Sequence, residues 1–109
     1  MMNNLPRNTL GRTGLQITQL GFGGAGIPGP LYGSPGINDN QADQLLNSVL
    51  DSGINFIDTA PDYGVSEDLI GNFISHRRDE FYLATKCGCH NTTEGTALEP
   101  GHQWTAEQF

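Results

Sequence analysis

Short apolar runs alternate along this chain with stretches in which apolar residues recur at helical spacing. Three runs, at residues 18–23, 54–58 and 80–86, have the length and composition of strands. The two intervening stretches each present one apolar face, through Ala42, Leu45, Leu46, Val49 and Leu50 in the first and Leu69, Ile70, Phe73 and Ile74 in the second. Strands that alternate with amphipathic helices form parallel βαβ units, so the sequence predicts an α/β fold.

Local signals mark the ends of the two helices. Asn38 and Gln41 have the spacing of a capping box ahead of the first helix, and Gly53 fits the position just past its end. The second helix is expected to begin at Ser66. An arginine pair at 77–78 is expected near its carboxyl end, where the helix dipole favours cations.

A hairpin is predicted ahead of the first strand. The segment Leu10-Gly11-Arg12-Thr13-Gly14-Leu15 has two short apolar arms around a turn bounded by glycines, which indicates a β-hairpin over residues 8–17. Residues 24–37 and 87–104 are expected to form long loops at the carboxyl ends of the strands. Loops in that position are where α/β folds place their sites.

Charge and composition exclude two broad classes of partner. The chain has 109 residues, of which 12 are acidic and 5 basic, for a formal net charge of −7. Nucleic-acid binding relies on lysine and arginine to neutralise phosphates, so we expect no nucleic-acid partner. No apolar stretch approaches the roughly 20 residues that span a bilayer, and residues 1–7 lack an apolar signal core. We therefore expect no membrane partner and a cytoplasmic location.

Two ligand-like motifs lack the sequence context that they need. Cys87-Gly88-Cys89-His90 has no second pair of ligands elsewhere, so we expect no metal site. Gly21-Phe22-Gly23-Gly24-Ala25-Gly26 matches the dinucleotide fingerprint after a strand, but prolines and glycines follow where a helix should begin. No acidic residue lies about 20 positions further on at a strand end. We therefore reject a Rossmann site, although the glycines permit a ligand to approach the backbone.

An acid, a phenol and an amine lie at or just past the ends of two neighbouring strands. Asp58 ends one apolar run, Tyr63 follows five residues later, and Lys86 ends the next run. A phenol has an ordinary pKa of about 10, and a nearby ammonium makes its proton easier to release. A carboxylate beside the ammonium keeps that lysine charged. This trio suits the protonation of a carbonyl oxygen while a hydride arrives at the carbon.

The chain ends where another helix is predicted to begin. Thr105 and Gln108 have the spacing of a capping box, with Trp104 in the staple position, and Phe109 is the last residue. Domain boundaries normally fall in linkers rather than in the first turn of a helix. We therefore expect the chain to be the N-terminal part of something longer.

The motifs described above resemble those of the aldo-keto reductase family. The segment Leu10 to Leu15 and the run Leu20-Gly21-Phe22-Gly23 are similar to the family's opening hairpin and first strand. Residues 53–67 are closely similar to its second-strand signature, and Thr85-Lys86 matches the end of its third strand. The resemblance implies that residues 1–109 form the N-terminal part of a (β/α)8 TIM barrel, with a β-hairpin followed by about three βα units.

The resemblance also implies a cofactor, a substrate class and a set of roles. The cofactor would be NADP(H), or less often NAD(H), and the substrate a small carbonyl compound or a sugar. Tyr63 would be the general acid/base, Lys86 its charge partner and Asp58 the residue that orients Lys86. Gly24, Ala25 and Asp58 would lie near the nicotinamide ribose. The family's fourth catalytic residue, a histidine at the end of strand four, has no match in this sequence.

Two points stay open at the level of the sequence. The segment Leu31-Tyr32-Gly33 is similar to family members that act on free sugars, so Tyr32 either lines a substrate pocket or merely fills the loop. A non-catalytic partner or remnant on the same scaffold is the alternative to an enzyme. The intact trio of Asp58, Tyr63 and Lys86 favours the enzyme.

Overall fold

A computed structural model describes residues 4–27 and 36–88 of the chain. The elements in chain order are β1 (Arg7–Thr9), β2 (Gln16–Thr18), β3 (Phe22–Gly23), α1 (Asp39–Asp51), β4 (Phe56–Asp58), α2 (Ser66–Ile74), a 3₁₀ helix (Ser75–Glu80) and β5 (Tyr82–Ala84). The predictions made for Tyr32, for the loop after residue 88 and for the helix start at Thr105 lie outside these residues. No helix in the described ranges combines the length and apolarity needed to cross a membrane.

The three later strands form one parallel sheet in the order β3-β4-β5. Phe22 pairs with Ile57, and Ile57 pairs in turn with Leu83. Each strand is joined to the next by a segment that contains a helix, α1 or α2. The predicted parallel βαβ arrangement is therefore confirmed, and the carboxyl ends of all three strands lie side by side.

The strands are shorter than the apolar runs that predicted them. Thr18 belongs to the hairpin strand β2, where it pairs with Arg7, rather than to β3. Glu80 closes the 3₁₀ helix, so β5 begins only at Tyr82. The apolar runs thus extend beyond the residues that pair within the parallel sheet.

The helices pack on the sheet through the predicted apolar faces. Asn38 forms the predicted capping box with Gln41, each side chain bonding the other residue's backbone N–H at 2.8 and 3.0 Å. Gly53 follows α1 with a φ of 96°, the left-handed conformation that ends helices on glycine. Among the described residues, the main cluster of buried hydrophobic side chains consists of Ile27, Ala42, Leu46, Leu50, Ile57, Leu69, Ile70, Ile74 and Phe81. Leu45, which the helical stripe included, remains 37% exposed at the margin of this core.

Arg77 serves a different purpose from the one expected of it. The helix α2 ends at Ile74, and Arg77 lies in the 3₁₀ helix with a φ of −113°. Its guanidinium pairs with Asp51 at 2.9 Å and with Glu80 at 2.8 Å. These ion pairs raise the pKa of Arg77, with the Glu80 hydrogen bond as the largest cause. Arg77 therefore links the end of α1 to the segment after α2 instead of capping α2.

The hairpin is confirmed and is fastened to the sheet by one asparagine. β1 and β2 pair antiparallel, and Gly11 and Gly14 have φ values of 52° and 77° at the two sides of the turn. The buried Asn55, just before β4, accepts from the Thr18 backbone N–H at 2.7 Å and donates to the Gln16 carbonyl at 2.9 Å. The hairpin thus packs against the amino end of β4.

We expect Asn55→Ala to loosen the hairpin and destabilise the fold. The buried Thr18 N–H would lose its acceptor, and such a loss costs about 1–3 kcal/mol. Urea denaturation should show this fall in the free energy of unfolding, and hydrogen exchange should show faster exchange at the Thr18 amide. Asn72→Ala, which changes an exposed asparagine of α2, is the matched control. Unchanged protection of the Thr18 amide in Asn55→Ala would contradict this account.

Candidate active site

Hydrogen bonds beyond the strands join the three carboxyl ends into one edge. Gly24, just after β3, donates its backbone N–H to the Asp58 carbonyl at 2.8 Å. Thr59, just after β4, donates its N–H to the Ala84 carbonyl of β5, also at 2.8 Å. This edge fixes where the side chains of residues 58, 63 and 86 emerge.

Lys86 lies at the centre of the group that the sequence predicted. Its ammonium is 3.2 Å from each carboxylate oxygen of Asp58 and donates to the Thr59 carbonyl at 2.8 Å. The same nitrogen lies 4.8 Å from the centre of the Tyr63 ring, within the range of a cation–π contact. The structure therefore brings Asp58, Tyr63 and Lys86 together, with Tyr63 reached through its ring face.

The electrostatic balance favours the charged form of Lys86. Burial lowers the pKa of Lys86, but the hydrogen bonds and charges of Asp58 and Tyr63 outweigh this effect and raise the pKa above its usual value. The side chains of Lys86 and Asp58 keep 39% and 48% of their surfaces exposed. The ion pair is thus open to solvent on part of its surface.

Two consecutive turns present Tyr63 to the lysine. The Tyr63 N–H donates to the Ala60 carbonyl at 3.1 Å, and the Ser66 N–H donates to the Tyr63 carbonyl at 3.0 Å. Gly64 has a φ of 55°, which lets the chain reverse immediately after the tyrosine. The backbone of Tyr63 is therefore fixed on both sides, between the end of β4 and the start of α2.

The loop between β4 and α2 has a buried pair of hydroxyls at its two ends, from Thr59 and Ser66, that was not predicted from the sequence. The Thr59 and Ser66 side chains are both 0% exposed, and their hydroxyl oxygens lie 2.9 Å apart. Nearby, the Thr85 hydroxyl donates to a carboxylate oxygen of Glu67 at 2.6 Å. The sequence contained a weak signal for the pair, because two hydroxyl residues flank the polar loop between a strand and a helix.

Gly24 is constrained by the protein itself. A Cβ on Gly24 would lie 2.6 Å from the Ser66 hydroxyl and 3.3 Å from the Asp58 carbonyl, so no larger residue fits without movement. The neighbouring Ala25 is half-buried at the same edge. Sequence reasoning connected the glycine run with ligand approach, whereas the close contact at Gly24 is with Ser66.

A cleft and a cluster of metal ligands are the two other features that could mark a functional site. A cleft of about 510 Å³ opens at the amino ends of β4 and β5, lined by Arg7, Leu50, Gly53, Ile54, Asn55, Arg78, Asp79, Glu80, Phe81 and Tyr82. It lies at the opposite edge of the sheet from Lys86. Among the described residues, no three His, Cys, Asp or Glu side chains come together as metal ligands. The cluster of Asp58, Tyr63 and Lys86 is therefore the candidate active site within the described residues.

A parallel βαβαβ sheet with charged and phenolic groups at its carboxyl edge has the architecture of an α/β enzyme. Residues 19–106 match the model of the aldo/keto reductase family. The chain therefore belongs to the aldo/keto reductase family.

Individual relatives agree with this assignment. Pyridoxal 4-dehydrogenase from Microbacterium luteolum is 39% identical over 98 residues, which are 86% of this chain and 28% of that protein. D-threo-aldose 1-dehydrogenase from a Pseudomonas species is 41% identical over 78 residues, 69% of this chain and 23% of that protein. The chain thus spans about a quarter of the length of these two curated relatives.

Solved structures show the same relationship in three dimensions. An aldo-keto reductase from Pseudomonas aeruginosa superposes with a TM-score of 0.73 at 30% sequence identity, over 94% of this chain and 37% of that one. A second aldo-keto reductase structure from that organism gives a TM-score of 0.66 at 35% identity. These neighbours assign the chain to a TIM-barrel-type fold, of which the described elements form a part.

Proposed function

We propose that this chain carries the acid–base part of the active site of an oxidoreductase that interconverts aldehydes or ketones and alcohols. The observation that carries the proposal is the position of the Lys86 ammonium, between the Asp58 carboxylate and the face of the Tyr63 ring. Titratable groups that converge at the carboxyl edge of a parallel sheet are typical of catalytic sites.

Each member of the trio has a role that its contacts support. Tyr63 gives its hydroxyl proton to the carbonyl oxygen of the substrate as that oxygen gains negative charge, and it takes the proton back in the reverse direction. The Lys86 ammonium stabilises the phenolate left behind. Asp58 holds Lys86 in place through both carboxylate oxygens and favours its charged form.

A nicotinamide cofactor fits the chemistry of this edge. NADP(H) is our first choice and NAD(H) the second; when bound, the cofactor supplies or accepts the hydride at the substrate carbon. The half-exposed Asp58 carboxylate has surface left to accept a hydrogen bond from a ribose hydroxyl. Gly24 and Ala25 lie beside Asp58 at the same edge, so we assign these three residues to the nicotinamide ribose.

The names of two relatives support a substrate class. One relative is named for pyridoxal, an aldehyde, and another for an aldose. We propose a small carbonyl compound or sugar as the substrate, with Tyr32 as a pocket residue.

We also place the chain as the hairpin and first three βα units of an eight-unit barrel, in a cytoplasmic enzyme. A non-catalytic partner on this scaffold is the less favoured hypothesis, because Asp58, Tyr63 and Lys86 are all present.

Tests of the reaction need a complete barrel, meaning this chain joined to the barrel segments that its relatives have in addition. We expect that protein to oxidise NADPH when small aldehydes are added, and to reduce NADP⁺ when aldoses are added. Absorbance at 340 nm measures both directions, with NADH and NAD⁺ assayed in parallel. Tight cofactor binding without turnover on any carbonyl substrate would contradict the proposed function and favour the hypothesis of a non-catalytic partner.

A further inference from the structure

The buried hydroxyls of Thr59 and Ser66 form a contact that neither helix nor sheet requires. Ser66 is the first residue of α2, whose capping residue Val65 makes no side-chain cap. The Ser66 hydroxyl is therefore not used to begin the helix. It bonds instead to the Thr59 hydroxyl at 2.9 Å, in a position from which solvent is excluded.

Both members of this pair are bonded directly to the catalytic group through their main chains. The Thr59 carbonyl accepts from the Lys86 ammonium at 2.8 Å. The Ser66 N–H donates to the Tyr63 carbonyl at 3.0 Å. The hydroxyl bond thus closes a connection from Lys86 through Thr59 and Ser66 to Tyr63, and it spans the two ends of the loop that carries the tyrosine.

We propose that Thr59 and Ser66 are positioning residues that hold Tyr63 over Lys86. This inference rests on the proposed function, since it assigns a purpose to the geometry of the same site. A misplacement of about 1 Å in a reacting group is enough to lower a rate about 10²-fold. A buried hydrogen bond across the base of the loop is a means of preventing that displacement.

Kinetics of variants in the complete barrel test the proposal. Thr59→Val removes the hydroxyl but keeps the side-chain shape and the carbonyl that binds Lys86, and Ser66→Ala removes the other hydroxyl. We expect each to lower kcat about tenfold or more, with the dissociation constant for NADPH changed less than about twofold. Thr59→Ser keeps a hydroxyl and should restore kcat to within about twofold of the parent. The double variant should be no slower than the slower single variant, because both changes break one bond.

Ser52→Ala is the matched control. It removes a serine hydroxyl that donates to the Val49 carbonyl at 2.7 Å, after α1 and away from the site. We expect its kcat to equal that of the parent. A Ser66→Ala effect no larger than the Ser52→Ala effect would overturn the proposal.

A second measurement does not depend on activity. Lys86 is the only lysine of residues 1–109, so ¹³C-lysine labelling of this segment within the complete barrel gives a single ε-methylene signal. Protons over an aromatic face are shifted upfield, and we expect Tyr63→Leu to abolish that shift. Thr59→Val and Ser66→Ala should reduce it, whereas Ser52→Ala should not.

The two measurements together separate the outcomes. Reduced kcat with a reduced ring shift supports positioning by the pair, and reduced kcat with an unchanged shift overturns it. If the single variants unfold, the double variant is read by the same criteria, because it leaves no unpaired hydroxyl buried. If Tyr63→Phe keeps its turnover, the proposed function fails, and the ring shift alone then decides whether the pair positions the tyrosine.

Discussion

Tyr63→Phe in the complete barrel should lower kcat for carbonyl reduction by about 10²-fold or more. The change removes the proton that we assign to the substrate oxygen, while the ring face that Lys86 contacts remains. Because the ring and the loop turns are kept, the dissociation constant for NADPH should change little. Steady-state NADPH oxidation and fluorescence titration of the cofactor measure the two effects separately.

Tyr82→Phe is the control for the loss of a phenolic hydroxyl. Tyr82 begins β5 and lines the cleft at the amino ends of the strands, at the opposite edge of the sheet from Lys86. Its turnover should match that of the parent. Near-normal turnover in Tyr63→Phe would rule out Tyr63 as the proton donor, whatever the behaviour of Tyr82→Phe.

Lys86→Met should cause a comparable loss of kcat with little loss of stability. Methionine removes the charge that we propose stabilises the phenolate, but it keeps much of the length of the side chain. Both members of the Lys86–Asp58 pair are more than a third exposed, and such pairs contribute about 0–1 kcal/mol. Activity assays should therefore show a large loss of kcat, whereas thermal denaturation should show little loss of stability.

Arg78→Met is the matched control for the loss of a cation over a ring. The Arg78 guanidinium lies 4.9 Å from the centre of the Phe81 ring and donates to the Phe81 carbonyl, in the region of the amino-end cleft. We expect its kcat to be close to that of the parent. Equal losses in the two methionine variants would show that the effect is not specific to the site.

The pH dependence of Lys86 has a definite sign. Its pKa in the folded chain is raised, so its charged form is favoured over that in the unfolded chain. The resulting stabilisation is fully present below the ordinary lysine value of about 10.4 and is lost as pH rises through the raised folded value. NMR titration of the single labelled lysine should therefore give a midpoint above that of the unfolded chain. A midpoint below it would contradict the arrangement.

The sequence predicted those parts of the fold that depend on local patterns. The stripe of α1 and its capping box at Asn38 follow from residue spacing alone, and the structure confirms both. The strand boundaries did not follow, because the apolar residues Ile54 and Phe81 precede the first paired residues of β4 and β5. The salt bridges of Arg77 were missed for a related reason, since its partner Asp51 is 26 positions away and local spacing carries no information about it.

The candidate site also has parts that the sequence predicts and parts that it does not. Asp58 and Lys86 could be brought together in advance, because both end apolar runs and neighbouring parallel strands end at one edge. The bond between Thr59 and Ser66 could not, because it depends on how two turns fold the loop between them. Main-chain acceptors are invisible in a sequence for the same reason, and the Thr59 carbonyl that binds Lys86 is one of them.

The attachment of the hairpin to Asn55 has a consequence for the order in which the chain folds. The pairs within the hairpin are close in sequence, such as Thr9 with Gln16, whereas Thr18 and Asn55 are 37 residues apart. Loops within the hairpin close rapidly, and the distant contact must wait for a long intervening segment to become ordered. The hairpin should therefore form early and dock late, after β4 has joined the sheet.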